Sequence, residues 1–439
     1  MPELDSGAIA WVLISTALVL FMTPGLAFFY GGMVRAKNTL GMLMQNYVAM
    51  GLIGVLWVLV GFSLAFGNSG DAGFIGNFDF IGFTDVTATD PVPEFFSFLT
   101  IPWILFAGYQ MTFAIITPAL ITGATADRFK FSAYLWFIGL WAVLVYSPVA
   151  HMVFAGGWLA DMGALDFAGG AVVHINAGAA ALACCLVLGA RRGYGKEAMP
   201  PHSLPLTVLG TGILWFGWAG FNGGSALAAD GIASQALVNT FIAASAAMLG
   251  WLVIEKVKDG HATTLGAASG AVAGLVAITP CAGFVGTMPS IIIGFVAGAV
   301  CLLAIGIKKA AGFDDSLDVV AVHLVGGLIG SILLGLFADP KINGVVANPG
   351  LLITDGGTDL LLDQLVASGV TLAFSFVASF IIIKVIDMII GARVTPEQEM
   401  EGLDSSQHAE TAYAMGDIVS GIGSVAQSQH AGASQSVSH

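Results

Sequence analysis

Charge is scarce in this chain. Asp, Glu, Lys and Arg together make up 10% of its 439 residues, against about a quarter in a soluble domain. A soluble protein of this length would form roughly three domains, whose surfaces need more than the 14 basic and 28 acidic residues present. The shortage of positive charge, with a formal net charge of −14, also excludes a nucleic-acid binder, which needs a basic stripe. Cysteine is scarce too. Cys184, Cys185, Cys281 and Cys301 lie in apolar runs without C-x-x-C spacing, so they imply neither a disulfide framework nor a metal site. No basic residue precedes Arg35, so the N-terminus lacks the charged segment of a signal peptide. The H-E-x-x-H, G-x-S-x-G and P-loop patterns are missing, which argues against an enzyme and leaves no cofactor to expect.

Apolar sequence dominates instead. Hydrophobic residues reach 57% and mean hydropathy is +0.89. The 58 glycines fit helices that approach closely in a bilayer. A helix needs about 20 apolar residues to cross the membrane. Runs free of Asp, Glu, Lys and Arg cover residues 6–34, 38–70, 95–126, 131–160, 167–190, 198–229, 231–254, 260–307, 319–338 and 364–383. The run 260–307 is long enough for two spans, with a break where Gly and Pro punctuate 279–289. The expected fold is therefore an all-α integral membrane protein of eleven transmembrane helices. A transport domain would occupy 1–393. A polar tail, 394–439, would be disordered at its end.

Basic residues give the direction. Arg35 and Lys37, Arg128 and Lys130, Arg191, Arg192 and Lys196, Lys256 and Lys258, Lys308 and Lys309, and Lys384 and Arg393 follow the odd spans. The other loops carry acids such as Asp79, Asp85, Asp161, Asp230 and Asp355, with Lys341 the exception. The positive-inside rule then puts the N-terminus outside and the C-terminus in the cytoplasm.

Polar groups inside apolar runs are the candidate site. His174 lies in span 5 and His323 in span 10. Each reads either as a neutral imidazole packed between helices or as part of a pathway, since ionisable groups at membrane depth are costly. If spans 1–5 and 6–10 are inverted repeats, the two histidines take equivalent places near the midplane. Each also follows a carboxylate, Asp166 by eight residues and Asp318 by five. Asp166 suits an N-cap; alternatively its charge favours a cation at the outer mouth. Trp218 to Ser225 form an aromatic and hydroxyl cluster at the outer end of span 6. Rings attract a desolvated cation, and a Ser hydroxyl accepts from an N–H donor.

These stretches resemble the ammonium transporter family (Amt/Mep/Rh), in its bacterial Amt branch, over about residues 7–417. The resemblance rests on Phe28–Arg35, 163–170 with 172–178, Gly217–Ser225, Gly270–Pro280 and Asp314–His323. It implies two inverted five-helix halves plus a final helix, with a pore in each protomer of a homotrimer. It implies ammonium or ammonia as substrate and the plasma membrane as location. Phe113, Phe154, Trp218 and Ser225 would form the recruitment site, Phe113 and Phe221 the gate, Asp166 a buried carboxylate, and His174 and His323 the pore. Phe154 stands where related members usually carry Trp. The implied mechanism recruits the cation, removes its proton and passes ammonia along the histidines, with the proton moving separately. The alternatives are a sensor that signals through a cytoplasmic partner and a passive Rh-type gas channel. A PII-type signal protein would bind the cytoplasmic face.

Overall fold

The computed structural model describes residues 3–413; the expectation of a disordered segment at 418–439 lies outside them. Among the described residues there is no strand, only an isolated bridge between Phe129 and Arg393. A helix that is apolar all round has no solvent face and belongs in a bilayer. Ten helices are long and apolar enough to cross one: α1 Ser6–Met33, α2 Ala36–Phe66, α3 Trp103–Thr125, α4 Phe131–Met162, α5 Gly170–Leu188, α6 Leu204–Ala226, α7 Gly231–Asp259, α9 Thr287–Ala311, α10 Val320–Phe337 and α11 Asp359–Ile390. The chain is a multi-pass membrane protein. Between α7 and α9 lies the shorter apolar helix α8, Thr264–Ile278. Its 15 residues rise about 23 Å, less than the roughly 30 Å of a hydrocarbon core. The expected break in the long run falls between Ile278 and Thr287.

Helix α1 packs along α6, α7 along both α8 and α9, and α5 against α11. The α5–α10 crossing is close because two positions lack a side chain. A Cβ on Gly178 would fall on the backbone of Leu324, and one on Gly327 would lie 3.0 Å from the Gly170 carbonyl oxygen. Small residues at such crossings let membrane helices approach backbone to backbone.

The loops after odd-numbered helices gather at one end of the bundle, here called the basic end. Asp127 takes Arg35 at 2.9 Å and hydrogen bonds Asn38. Arg191 grips Asp314 in a fork, with Nε to Oδ2 and Nη2 to Oδ1 both at 2.9 Å. Burial alone would raise the Asp314 carboxyl, but the Arg191 fork outweighs it and holds the group below its ordinary range. The chain after α11 returns to this end. Lys130 N–H donates to the Ala392 carbonyl at 2.9 Å, and Val394 N–H to that of Arg128 at 3.1 Å. Two short helices follow, α12 Pro396–Glu401 and α13 Leu403–His408, the first opened by a Thr395–Gln398 capping box. Asp404 accepts from Gly41 N–H at 2.8 Å, and Leu403 N–H donates to Asn38 at 2.8 Å. The acidic segment through Tyr413 is thus packed on the basic loops.

Candidate functional site

The site follows one stripe of α6. Ser225, Phe221 and Trp218 are spaced four and three residues apart, so they share a face and descend about 10 Å along the helix. Helix α3 presents a matching stripe, Phe106, Gln110 and Phe113. Where the stripes face each other at the end opposite the basic one, here called the acidic end, they border a vestibule of about 100 Å³ with Phe154, Phe167 and Ser225. Ser225 Oγ donates to the Phe221 carbonyl at 2.8 Å. Tyr109 braces the same turn, sharing its single hydroxyl proton between the Gly220 and Phe221 carbonyls at 2.8 and 2.9 Å, with Ser225 Oγ 3.2 Å away. With its proton on the Phe221 carbonyl, Ser225 Oγ has lone pairs left to accept.

Below the vestibule the rings of Phe113 and Phe221 meet at 4.3 Å, tilted by 42°. Phe113 lines the vestibule above, and Phe221 lines a second cavity below. That lower cavity is about 10 Å³ and walled by apolar side chains, Trp218, His174 and His323. A water needs roughly 10–15 Å³ of such space, so a hydrated cation does not fit.

His174 and His323 are both buried, 1% and 3% exposed. Their Nδ1 atoms are 3.2 Å apart and their planes differ by 23°. Two nitrogens at that distance share one proton, one ring donating and the other accepting. His174 Nε2 has no partner among the described residues. Both histidines sit in π-helical turns, Gly170–Ile175 and Val320–Val325. Such turns rotate a side chain out of ordinary helical register and recur at functional sites. No feature of the sequence announced them.

Two expectations change, and for Asp166 the capping reading is the one the geometry meets. Trp218 was expected beside Ser225 in the recruitment site, but it lines the lower cavity. Its Nε1–H donates to Thr279 Oγ1 at 3.0 Å, and its ring stacks 5.6 Å from His174. The reason is helical rise: seven residues separate it from Ser225, so it lies two turns deeper. Asp166 lines neither cavity. Its Oδ1 accepts from Gly169 and Gly170 N–H at 2.8 and 2.7 Å, and its Oδ2 from Ala171 and Val172 N–H at 2.8 and 3.2 Å. It caps the π turn that carries His174. Asp318 was expected to be the matching carboxylate for His323, but it pairs with Lys308. The match is Asp315, eight residues before His323 as Asp166 is before His174. Asp315 Oδ2 accepts from Val320 N–H at 2.7 Å. Burial first, and the Asp318 carboxylate second, push the Asp315 carboxyl up to about 6. Phe113, Phe154 and Ser225 line the vestibule, and Phe221, His174 and His323 line the lower cavity. Tyr109, Gln110, Phe167 and Asp315 were not anticipated; the helical spacing of α3 and the repeated interval of eight were the signals available.

Among the described residues no group of three His, Cys, Asp or Glu side chains is placed to hold a metal ion.

The model of the Ammonium Transporter Family matches residues 10–413. An ammonium transporter of Mycobacterium bovis is 50% identical, covering 93% of this chain and 90% of that protein. The crystal structure of Saccharomyces cerevisiae Mep2 superposes with a TM-score of 0.84 at 36% identity, over 90% of this chain and 89% of that one. A structure described as a sensor Amt protein superposes with a TM-score of 0.83 at 28% identity, over 92% and 98%.

Proposed function

The chain belongs to the ammonium transporter family, as a transporter and not an enzyme, and on that premise we propose that it moves ammonium by dividing it. The cation is captured in the vestibule by Phe113, Phe154 and Ser225. On passing the Phe113–Phe221 gate it gives up its proton to the His174–His323 pair, whose His174 Nε2 has no other partner among the described residues. Ammonia then passes the pair, and the proton moves on separately from it.

The observation that carries this reading is the step in environment across the gate. Above it lie aromatic faces and a hydroxyl acceptor, which suit a partly desolvated N–H cation. Below it lies an apolar space too small for a hydrated ion, where a bare charge would cost many kcal/mol. The paired imidazoles are the polar groups available there. Potassium has nearly the size of ammonium but carries no proton to release, so it is rejected by chemistry where size would fail.

The finer architecture belongs to the same reading. We count α8 as a span, giving eleven helices, with an outside N-terminus, the basic end in the cytoplasm, and α1–α5 and α6–α10 as inverted halves. The paired π turns, each with its histidine eight residues after a capping aspartate, support the repeat. We assign a homotrimer as the assembly and a PII-type signal protein as a partner of the basic end; family membership supports both. The likeness to a sensor Amt protein favours a second reading, ammonium sensing through that partner.

The test is flux in proteoliposomes. An inward ammonium gradient should drive uptake and a transient current, while potassium at equal concentration should drive neither. Uptake without current would leave the passive gas channel; no uptake would overturn transport. In the same assay Phe154→Trp reports on capture. Trp is the better cation–π partner, by about 0.5–1 kcal/mol at a partly wet site, or several-fold in affinity. The half-saturating ammonium concentration should fall by that factor. If only the maximal rate moves, Phe154 shapes the vestibule sterically and is not part of the cation site.

A further inference from the structure

A second chamber lies beside the vestibule. It is open to solvent, holds about 410 Å³ and shares one wall with the vestibule, the ring of Phe96. Asp79 and Glu94, both exposed, line it, Asp79 accepting from Asn77 Nδ2 at 2.5 Å, and no Lys or Arg among the described residues does. His151 also lines it, although the side chain is only 1% exposed. The transport reading gives His151 no task.

The His151 ring has a defined polarity. Nδ1 lies 3.0 Å from the Ala65 carbonyl oxygen. A carbonyl only accepts, so Nδ1 carries the hydrogen and Nε2 is left as a lone-pair acceptor. Nε2 has no partner among the described residues. A buried acceptor without a donor is costly, and what it lacks is an N–H or O–H. Two carboxylates lining the same chamber make a positively charged donor the favoured occupant. The rings of Phe66, Phe95 and Phe96 add faces on which such a cation rests. A metal ion does not meet these terms, because no group of three ligating side chains is arranged for one among the described residues.

We infer that the chamber lined by Asp79, Glu94 and His151 is a second binding site for a small N–H-donating cation, ammonium itself, held beside the vestibule and passed to it around Phe96. This rests on the proposed transport function and deepens it. Transport needs the cation scarce outside to be concentrated near the gate, and a chamber with one sign of charge raises the local concentration of the opposite ion.

The experiment measures ammonium uptake in proteoliposomes against concentration, at low and high salt, for wild type, Glu94→Gln, His151→Leu and the control Asp355→Asn. Asp355 is exposed on a different acidic-end loop. Glu94→Gln should raise the half-saturating concentration about threefold or more at low salt and leave the maximal rate unchanged. His151→Leu, which removes the acceptor, should act in the same direction. Extracted yield and thermal midpoint show whether that buried variant folds, and Glu94→Gln carries the test alone if it does not. Equilibrium binding of ¹⁵N-ammonium to the purified protein should show one site fewer in Glu94→Gln than in wild type. Unchanged half-saturation in Glu94→Gln overturns the inference. So does an equal shift in Asp355→Asn, which would mean a diffuse field and no site. Loss of uptake in wild type at every concentration would instead defeat the transport reading, so the two failures are distinct.

Discussion

Replacing His174 and His323 together with Leu should abolish the ammonium-driven current or let potassium pass. Leu has nearly the bulk of an imidazole and keeps the lower cavity filled. It removes the nitrogens that meet at 3.2 Å and leaves no polar group to receive a proton or an N–H below the gate. The double variant is the informative one. In a single variant the surviving imidazole keeps a buried nitrogen without a partner, at about 1–3 kcal/mol, and lost folding would be confused with lost transport. Removing both partners at once is close to neutral for stability. Flux per folded protein should fall at least about tenfold, the equivalent of roughly 1.4 kcal/mol, or discrimination against potassium should fall by a similar factor. Ammonium flux and potassium discrimination both at wild-type levels would remove the histidines from the mechanism.

Much of this site was legible in advance, and the failures have physical causes. Span positions followed from apolar run length alone, because a bilayer sets one length scale for every crossing. The Gly and Pro residues at 279–289 marked the break after α8, although the shortness of that helix was not foreseen. His174 and His323 stood out because an ionisable group is conspicuous in a 20-residue apolar run. Depth along a helix was read less well. Trp218 was grouped with Ser225 because they are close in sequence, yet 1.5 Å of rise per residue separates them by two turns and puts Trp218 against His174. The choice between Asp315 and Asp318 turned on which carboxylate reaches the free N–H groups of the following turn. Chain geometry decides that, with Asp318 held at φ 63° and drawn to Lys308. The π turns carry no sequence mark at all. The two that carry the histidines meet at the α5–α10 crossing, where the imidazoles face each other.

Asp166 offers the sharpest remaining contrast, between a cap and a charge. Its two oxygens take four backbone N–H groups, so Asp166→Asn is not a silent cap replacement. The Asn carbonyl oxygen can keep one pair of donors, but its amide would face the other pair with N–H against N–H. Two N–H groups then lose their acceptor, at a few kcal/mol in total if water does not reach them. The thermal midpoint and extracted yield should both drop. Transport should drop further, because the negative charge at the N-terminal end of α5 is also lost and with it the attraction for a cation arriving at the gate. The separating variant is Asp166→Glu. Its longer side chain disturbs the four-donor geometry at least as much as Asn does, while it keeps the charge. If the charge serves transport, Glu should be as unstable as Asn yet recover uptake per folded molecule to within a few-fold of wild type, against a loss of about tenfold or more in Asn. If Asp166 only holds the π turn beneath His174, Glu and Asn should lose uptake equally and in step with their stability. The geometry by itself accounts for the cap. The charge reading rests on the neighbouring residue, Phe167, which lines the vestibule above the gate.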